Sequence, residues 1–250
     1  MSAALQTINL EKRFGGLVAT NKVSLVLEHG ARHALIGPNG AGKTTFVNLL
    51  TGVLPTDGGR ILLDGEDVTA RSQIQRARLG LGRTFQINQL FAAMTPVESI
   101  GLAVSERMGG GGDIWRRLGS RRDILSEIAE LVERFRLTDV MDQPTRALPY
   151  GKQRLLEIAL ALAGNPRVLL LDEPAAGVPE AERGELLETL AELPRDVSIL
   201  LIEHDMDLVF SFAERITVLV NGTHFAEGSV AEIMADARVQ EVYLGSDEHA

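Results

Sequence analysis

The spacing of hydrophobic and polar residues changes period twice along the chain. Near the amino terminus Leu5, Thr7 and Asn9 alternate with Gln6, Ile8 and Leu10, and Val23–Leu27 runs into the turn His29-Gly30. Both segments predict strands. Ala34-Leu35-Ile36 predicts a short apolar strand entering Gly37, and after Thr44 the spacing of Phe46, Val47, Leu49 and Leu50 predicts a helix. Asp57-Gly58-Gly59 reads as a turn, and Arg60–Asp64 as a strand closed by a second turn at Asp64-Gly65. From about Arg71 to Gly164 the pattern is mainly helical, with Ile124, Leu125, Ile128, Leu131, Val132 and Phe135 on one face. Arg107–Arg122, with Gly109–Gly112 and five arginines, reads as an irregular insertion. The last third alternates again. Val168–Leu171 and Val197–Ile202 predict buried strands, and Glu180–Leu193 and Asp205–Ala213 predict helices. Ile216–Val220 and Thr223–Ala226 flank Asn221-Gly222 as a hairpin with a primed turn. The implied class is α/β, a parallel sheet covered on both faces and interrupted by a helical subdomain.

Composition narrows the function more than the fold. The 250 residues carry 25 Lys plus Arg against 34 Asp plus Glu, a net charge of −9, and 4% aromatics. A broad polyanion-binding surface or an aromatic stacking platform for nucleic acid is therefore not expected. No cysteine is present, which removes disulfides, thiolate metal sites and a cysteine nucleophile. The first ten residues lack the basic and apolar regions of a secretory signal, and no apolar run is long enough to span a bilayer. A soluble chain is expected, with any membrane role supplied by a partner.

Gly37-Pro38-Asn39-Gly40-Ala41-Gly42-Lys43-Thr44 fits a phosphate-binding loop between a strand and a helix. Glycines let the backbone at Asn39, Gly40, Ala41 and Gly42 curl so that its N–H groups face a phosphate, and the helix start adds partial positive charge. Lys43 supplies an ammonium for the β- and γ-phosphates, Thr44 a hydroxyl for Mg²⁺, and Thr45 a hydroxyl near the α-phosphate. Asp172 and Glu173 end a buried strand, where Asp172 suits Mg²⁺ and Glu173 can polarise an attacking water. His204 follows another buried strand and can reach a γ-phosphate or the water. Gln86 carries an amide able to reach Mg²⁺ or water. Tyr150, Gly151 and Lys152 precede a second helix start at Gln153, again with anion-binding geometry. A chain with two phosphate-facing helix ends is explained if one of them completes the site of another copy.

Taken together, these residues resemble the nucleotide-binding subunit of ABC (ATP-binding cassette) transporters, in order and over essentially the whole chain. Gly37–Thr44 resembles the Walker A motif, Gln86 the Q-loop glutamine, Leu148–Lys152 the signature motif, Val168–Glu173 Walker B, and His204 the switch histidine. Phe14 matches the aromatic residue that stacks on adenine. The resemblance implies a P-loop NTPase core with an antiparallel β subdomain, formed by 1–86 and 165–250, and a helical subdomain at 87–164. It also implies ATP and Mg²⁺ as ligands, transmembrane permease subunits, a second ATPase subunit in a homo- or heterodimer, and an indirect link to a periplasmic binding protein. No nucleic-acid partner is expected. The implied location is peripheral, at the cytoplasmic face of the inner membrane.

The segments Arg13–Gly16, Gly82–Gln86, Tyr150-Gly151, Leu171–Gly177, Glu203–Met206 and Val242–Gly245 look most like the ATPase of branched-chain amino-acid importers. Urea importers and the lipopolysaccharide-export ATPase are similar there. The chain departs from the family pattern at two places. Pro149 stands where the signature serine would meet the partner's γ-phosphate, and it has neither hydroxyl nor N–H to donate. Pro179 stands where an Asn or Asp is usual. Losing one charge-assisted bond costs about 1.5–3 kcal/mol, enough to slow turnover by roughly one to two decades. Two other readings follow from these residues. The basic run Arg71, Arg76, Arg78 and Arg83 would suit a soluble regulatory or nucleic-acid-associated ABC ATPase, and the two prolines a weakly hydrolysing nucleotide-binding module.

Overall fold

The computed structural model describes residues 3–84, 90–109 and 122–244. Contacts divide the chain into two compact units: Met1–Arg83, Arg167–Glu173 and Pro194–Ala250 form the first, and Thr84–Pro166 with Pro174–Leu193 the second.

The first unit holds two sheets. β1 (Ala3–Phe14), β2 (Leu17–Glu28), β4 (Gly58–Leu63) and β5 (Glu66–Asp67) pair antiparallel in the order β2-β1-β4-β5. The second sheet, β10-β9-β3-β8-β7-β6, contains β3 (Arg32–Ile36), β6 (Leu81–Arg83), β7 (Val168–Asp172), β8 (Ser198–Ile202), β9 (Arg215–Val220) and β10 (Thr223–Ser229). All its neighbours are parallel except the β9–β10 hairpin. Side chains from both sheets, such as Leu5, Leu25, Leu35 and Leu200, close over Phe46, Leu49 and Leu50 of α1 (Lys43–Thr51) in one core, and α2 (Gln73–Arg78) belongs to the same unit. Ala34, Ile36, Ile216 and Val218 face the other way, with Val209, Ile233 and Val239 from the later helices. This two-sided burial explains the unbroken apolar runs of the central strands.

Three strand expectations are corrected. Alternation in β1 does not persist to Leu10, because Asn9 takes a left-handed conformation (φ 47°) and the pairing register shifts there. Its N–H donates to Ser24 Oγ, and Leu10 and Lys12 then join Leu5 and Thr7 on the buried side. Gly58 and Gly59 belong to β4 rather than to a turn. A Cβ on Gly59 (φ 82°) would lie 2.3 Å from the Asn9 carbonyl oxygen, so the bulge opposite Asn9 requires glycine. β6 is a strand inside the segment read as helical. It is only three residues long and is held by its parallel pairing to β7.

The second unit is helical in its regular elements: α3 (Pro96–Arg107), α4 (Arg122–Arg134), α5 (Tyr150–Ala163) and α6 (Glu180–Ala191). Thr95 and Glu98 form a capping box on α3, with Pro96 in its first turn. On α4, Ile124, Ile128, Leu131 and Val132 are buried, but Leu125 is 49% exposed and leaves the expected apolar face. The boundary at 165 is also corrected, since 174–193 groups with the helical residues. The link is polar. The Gly151 N–H donates to Glu182 Oε2 and Lys152 Nζ to Glu185 Oε1, tying the start of α5 to α6. Most of the Arg107–Arg122 insertion lies outside the described residues, though Arg107 pairs with Glu127 of α4.

A buried polar network joins β3, β9 and β10. His33 Nε2 is 2.8 Å from Thr217 Oγ1, which donates to Glu227, and Glu227 also accepts from Arg215. Burial pushes the His33 imidazole down to about 4, against the pull of Glu227. An unfolded histidine titrates near 6.5, so between these values the unfolded chain takes up a proton that the folded chain refuses. The neutral imidazole's contribution, up to about 3 kcal/mol, is complete above about pH 6.5 and is lost as pH falls toward 4. His33→Gln should therefore flatten the fall of the urea midpoint between about pH 6.5 and 4 relative to wild type; an identical fall in both would contradict this.

Candidate active site

Three adjacent parallel strands deliver chemistry to the same edge of the second sheet. β3 ends at Ile36 and opens into the phosphate loop, β7 ends at Asp172 and β8 at Ile202. Leu35 and Asp172 both pair with Ile202, so the three carboxyl ends are level. Ligands bind beyond the carboxyl ends of such strands. The loop 37–44, the pair Asp172-Glu173 and His204 thus lie at the same edge of the sheet.

A cavity of about 460 Å³ opens over the loop. It is lined by Asn39–Thr45, Phe14, Leu17, Val18, Ala19, Glu173 and the hairpin tip Asn221-Gly222. Gly42 is the N-cap of α1, with φ 94° and no side chain to cap the first turn. A Cβ there would meet the Ala19 carbonyl oxygen at 2.4 Å. The first-turn N–H groups therefore face the cavity with the helix dipole behind them. Phe14 is 47% exposed at the cavity mouth, with Lys12 Nζ 5.6 Å from its ring centroid. Leu17 and Asn221-Gly222 carry no site signal in the sequence. The Asn-Gly pair signals only a turn, and its place on the cavity wall comes from the Gly222 N–H donating to Ala41 O.

Lys43 is buried and turns back on its own loop, donating to Gly37 O at 2.6 Å and Pro38 O at 3.2 Å. Burial pushes its pKa down, while Glu173, Asp172 and Glu203 oppose that shift. The ammonium is thus held by weak neutral acceptors that a phosphate oxygen can outcompete. Glu173 Oε1 lies 3.8 Å from His204 Nδ1. The His204 and Asp205 N–H groups donate to the buried Glu203, which fixes the turn carrying the histidine. Glu173 has φ 48°, a left-handed conformation, and its N–H donates to Ile202 O. Strain of this kind costs about 1–3 kcal/mol and collects at functional positions.

Other expected site residues lie elsewhere or do other work. Gln86 is outside the described residues. α5 starts at Tyr150, three residues earlier than read, with Pro149 as an N-cap that offers no side-chain bond. The Tyr150 hydroxyl fills the space above Gly177. Lys152, at the second helix start, is engaged within its own unit. Its ammonium is nearly buried and donates to Arg136 O, Asp139 and Glu185 within its own unit. Breaking charged hydrogen bonds of this kind costs about 1.5–3 kcal/mol each. The basic run is likewise not a free cationic surface. Arg76 is buried on the carbonyls of Leu49, Leu50, Thr69 and Arg71, Arg71 pairs with Glu66, and Arg83 with Asp172. Arg78 is exposed. Because Glu173 holds a left-handed backbone, Glu173→Gly should be about 1 kcal/mol more stable than Glu173→Ala in urea denaturation; equal midpoints would show that no strain is relieved.

Residues 20–176 match the ABC transporter family model, and 224–249 match a model described as branched-chain amino acid ATP-binding cassette transporter. The chain is 41% identical to the high-affinity branched-chain amino acid transport ATP-binding protein LivG of Escherichia coli, covering 98% of this chain and 99% of that one. It is 40% identical to BraF of Pseudomonas aeruginosa, described in the same words, over 96% of this chain and 97% of that one. A crystal structure of the ADP conformation of MJ1267, an ATP-binding cassette of an ABC transporter, superposes with a TM-score of 0.82 at 31% identity, covering 98% and 99% of the two chains. The chain belongs to the ATP-binding subunits of ABC transporters, in the branched-chain amino acid transport family, and is an ATPase of the cassette fold.

Proposed function

We propose that the chain hydrolyses ATP at the carboxyl edge of its parallel sheet to drive uptake of branched-chain amino acids. The observation that carries this reading is the level meeting of the phosphate loop, Asp172-Glu173 and His204 on three neighbouring strands. Phe14 offers a π-face to the adenine. The loop N–H groups and Lys43 hold the phosphates, and Lys43 exchanges the Gly37 and Pro38 carbonyls for phosphate oxygens. Glu173 orients the attacking water and accepts its proton, and His204, from 3.8 Å away, steadies that carboxylate or the γ-phosphate.

The donor set also fits Mg²⁺, which is usually bound by one or two carboxylates together with substrate phosphates. Thr44 and Asp172 would hold it, with Gln86 as a further oxygen ligand. When bound it neutralises charge on the transferred phosphoryl group.

The second helix start completes a partner's site in this reading. Each ATP lies between one chain's Gly37–Thr44 and the other's Leu148–Lys152, in a head-to-tail pair with an identical or a distinct cassette. In the free subunit Glu182 occupies the Gly151 N–H that the partner's nucleotide would take. Pro149 removes the usual serine bond, so turnover depends on the remaining backbone donors. Binding energy for the shared nucleotide drives closure, and hydrolysis releases it. Among the described residues no helix is long and apolar enough to cross a membrane. Permease subunits at the cytoplasmic face would therefore supply the path, and a periplasmic binding protein the cargo. Leu90, Phe91 and Met94 are the segment offered to a permease helix, and Phe91 is exposed.

Glu173→Gln keeps shape and hydrogen bonding but removes the base. It should bind ATP as wild type does, trap it in a closed pair and lower hydrolysis by roughly two decades or more. Turnover at the wild-type rate would sink the assignment of Glu173.

A further inference from the structure

We propose that Arg83 is a positioning residue for the cation site, a brace that sets Asp172 against the Thr44 face of α1. The inference rests on the reading of Thr44 and Asp172 as the magnesium ligands. Arg83 is the last residue of β6 and pairs with Leu170 of β7, so Asp172, two residues further on, projects from the same side of the sheet. Its guanidinium forks. One arm donates to Asp172 Oδ2 at 2.6 Å, and the other donates to Asn48 Oδ1 at 2.8 Å. Asn48 stands one turn after Thr44 on α1 and shares its face. The planar fork therefore spans the carboxylate on one side and the helix carrying the hydroxyl on the other. Arg83 and Asp172 side chains are each only about one-fifth exposed, so the pair is shielded from bulk water.

Two effects of Arg83 on a divalent cation oppose each other. Its charge repels the cation, whereas its bond orients the carboxylate and removes the cost of ordering it. The second arm decides between them. A guanidinium that only neutralised Asp172 would need no anchor, but this one is tied to α1 and so fixes a distance between two elements. Residues that orient metal ligands in this way change metal affinity by about 10–100-fold when removed. Lysine, a single point charge on a flexible stem, cannot span both acceptors.

The test is a Mg²⁺ titration of a fluorescent ATP analogue bound to the full chain, with affinity in EDTA as the baseline. Arg83→Gln should raise half-saturating Mg²⁺ by about tenfold, while affinity in EDTA stays within about twofold. Arg83→Lys should shift Mg²⁺ dependence the same way. Asn48→Ala should shift it less, and adding it to Arg83→Gln should change nothing more, because the anchor acts only through the fork. A purely structural role would weaken binding equally with and without Mg²⁺. Half-saturation that is unchanged or lower in Arg83→Gln and Arg83→Lys overturns the brace. Asp172→Asn separates the two claims. If it leaves Mg²⁺ dependence unchanged, the magnesium reading fails and takes the inference with it; if it shifts Mg²⁺ dependence but Arg83→Gln does not, only the inference fails.

Discussion

The start of α1 has no side-chain cap, and much of the candidate site is arranged around that deficiency. Gly42 caps the helix with a left-handed backbone and nothing to offer its N–H groups. A serine or aspartate in that position would satisfy the donors and remove the anion site. The loop keeps its shape because it is wedged. The Ala19 carbonyl closes one side of Gly42, and the Gly222 N–H holds Ala41 O from the hairpin. The antiparallel sheet and the β9–β10 hairpin thus act as walls for a backbone that must stay open to phosphate.

Charge around the loop follows from the same constraint. A net charge of −9 opposes a polyanionic ligand. The cavity answers with dipoles and one buried ammonium rather than with a basic surface. Lys43 is desolvated, and three nearby carboxylates help keep its charge. Two of them, Asp172 and Glu173, are the ones assigned to the cation and the water. The acids that support the lysine in the free chain are the acids of the proposed chemistry, so in that reading ligand binding exchanges partners within one cluster. Arg83 adds rigidity to that cluster from β6.

The sequence made the regular parts legible where a local signal was strong. The phosphate loop, the apolar strands β3, β7 and β8, and the Asn221-Gly222 turn each carry their cause within a few residues. The irregular parts depend on partners far along the chain. Asn9 gives no hint of a bulge until β4 lies beside it, and Gly58-Gly59 reads as a turn until the Asn9 carbonyl needs the space. β6 is too short to show a period and exists because β7 pairs with it. Lys152 stands at a helix start with anion-binding geometry, but Glu185 and Asp139 hold it within its own unit. Arg76, in a basic run suggestive of nucleic acid, is instead buried on carbonyls that include the end of α1. In each case a distant side chain or carbonyl, invisible to local pattern, decided the role.

Amide hydrogen exchange across residues 37–45, with and without Mg²⁺ and ATP, tests the phosphate-binding role of the uncapped helix start most directly. The expected result is strong protection of the Lys43, Thr44 and Thr45 amides by ATP, with the core of β3 unchanged. Exchange in those three amides that ATP leaves unaltered, under conditions where the nucleotide is bound, would contradict it.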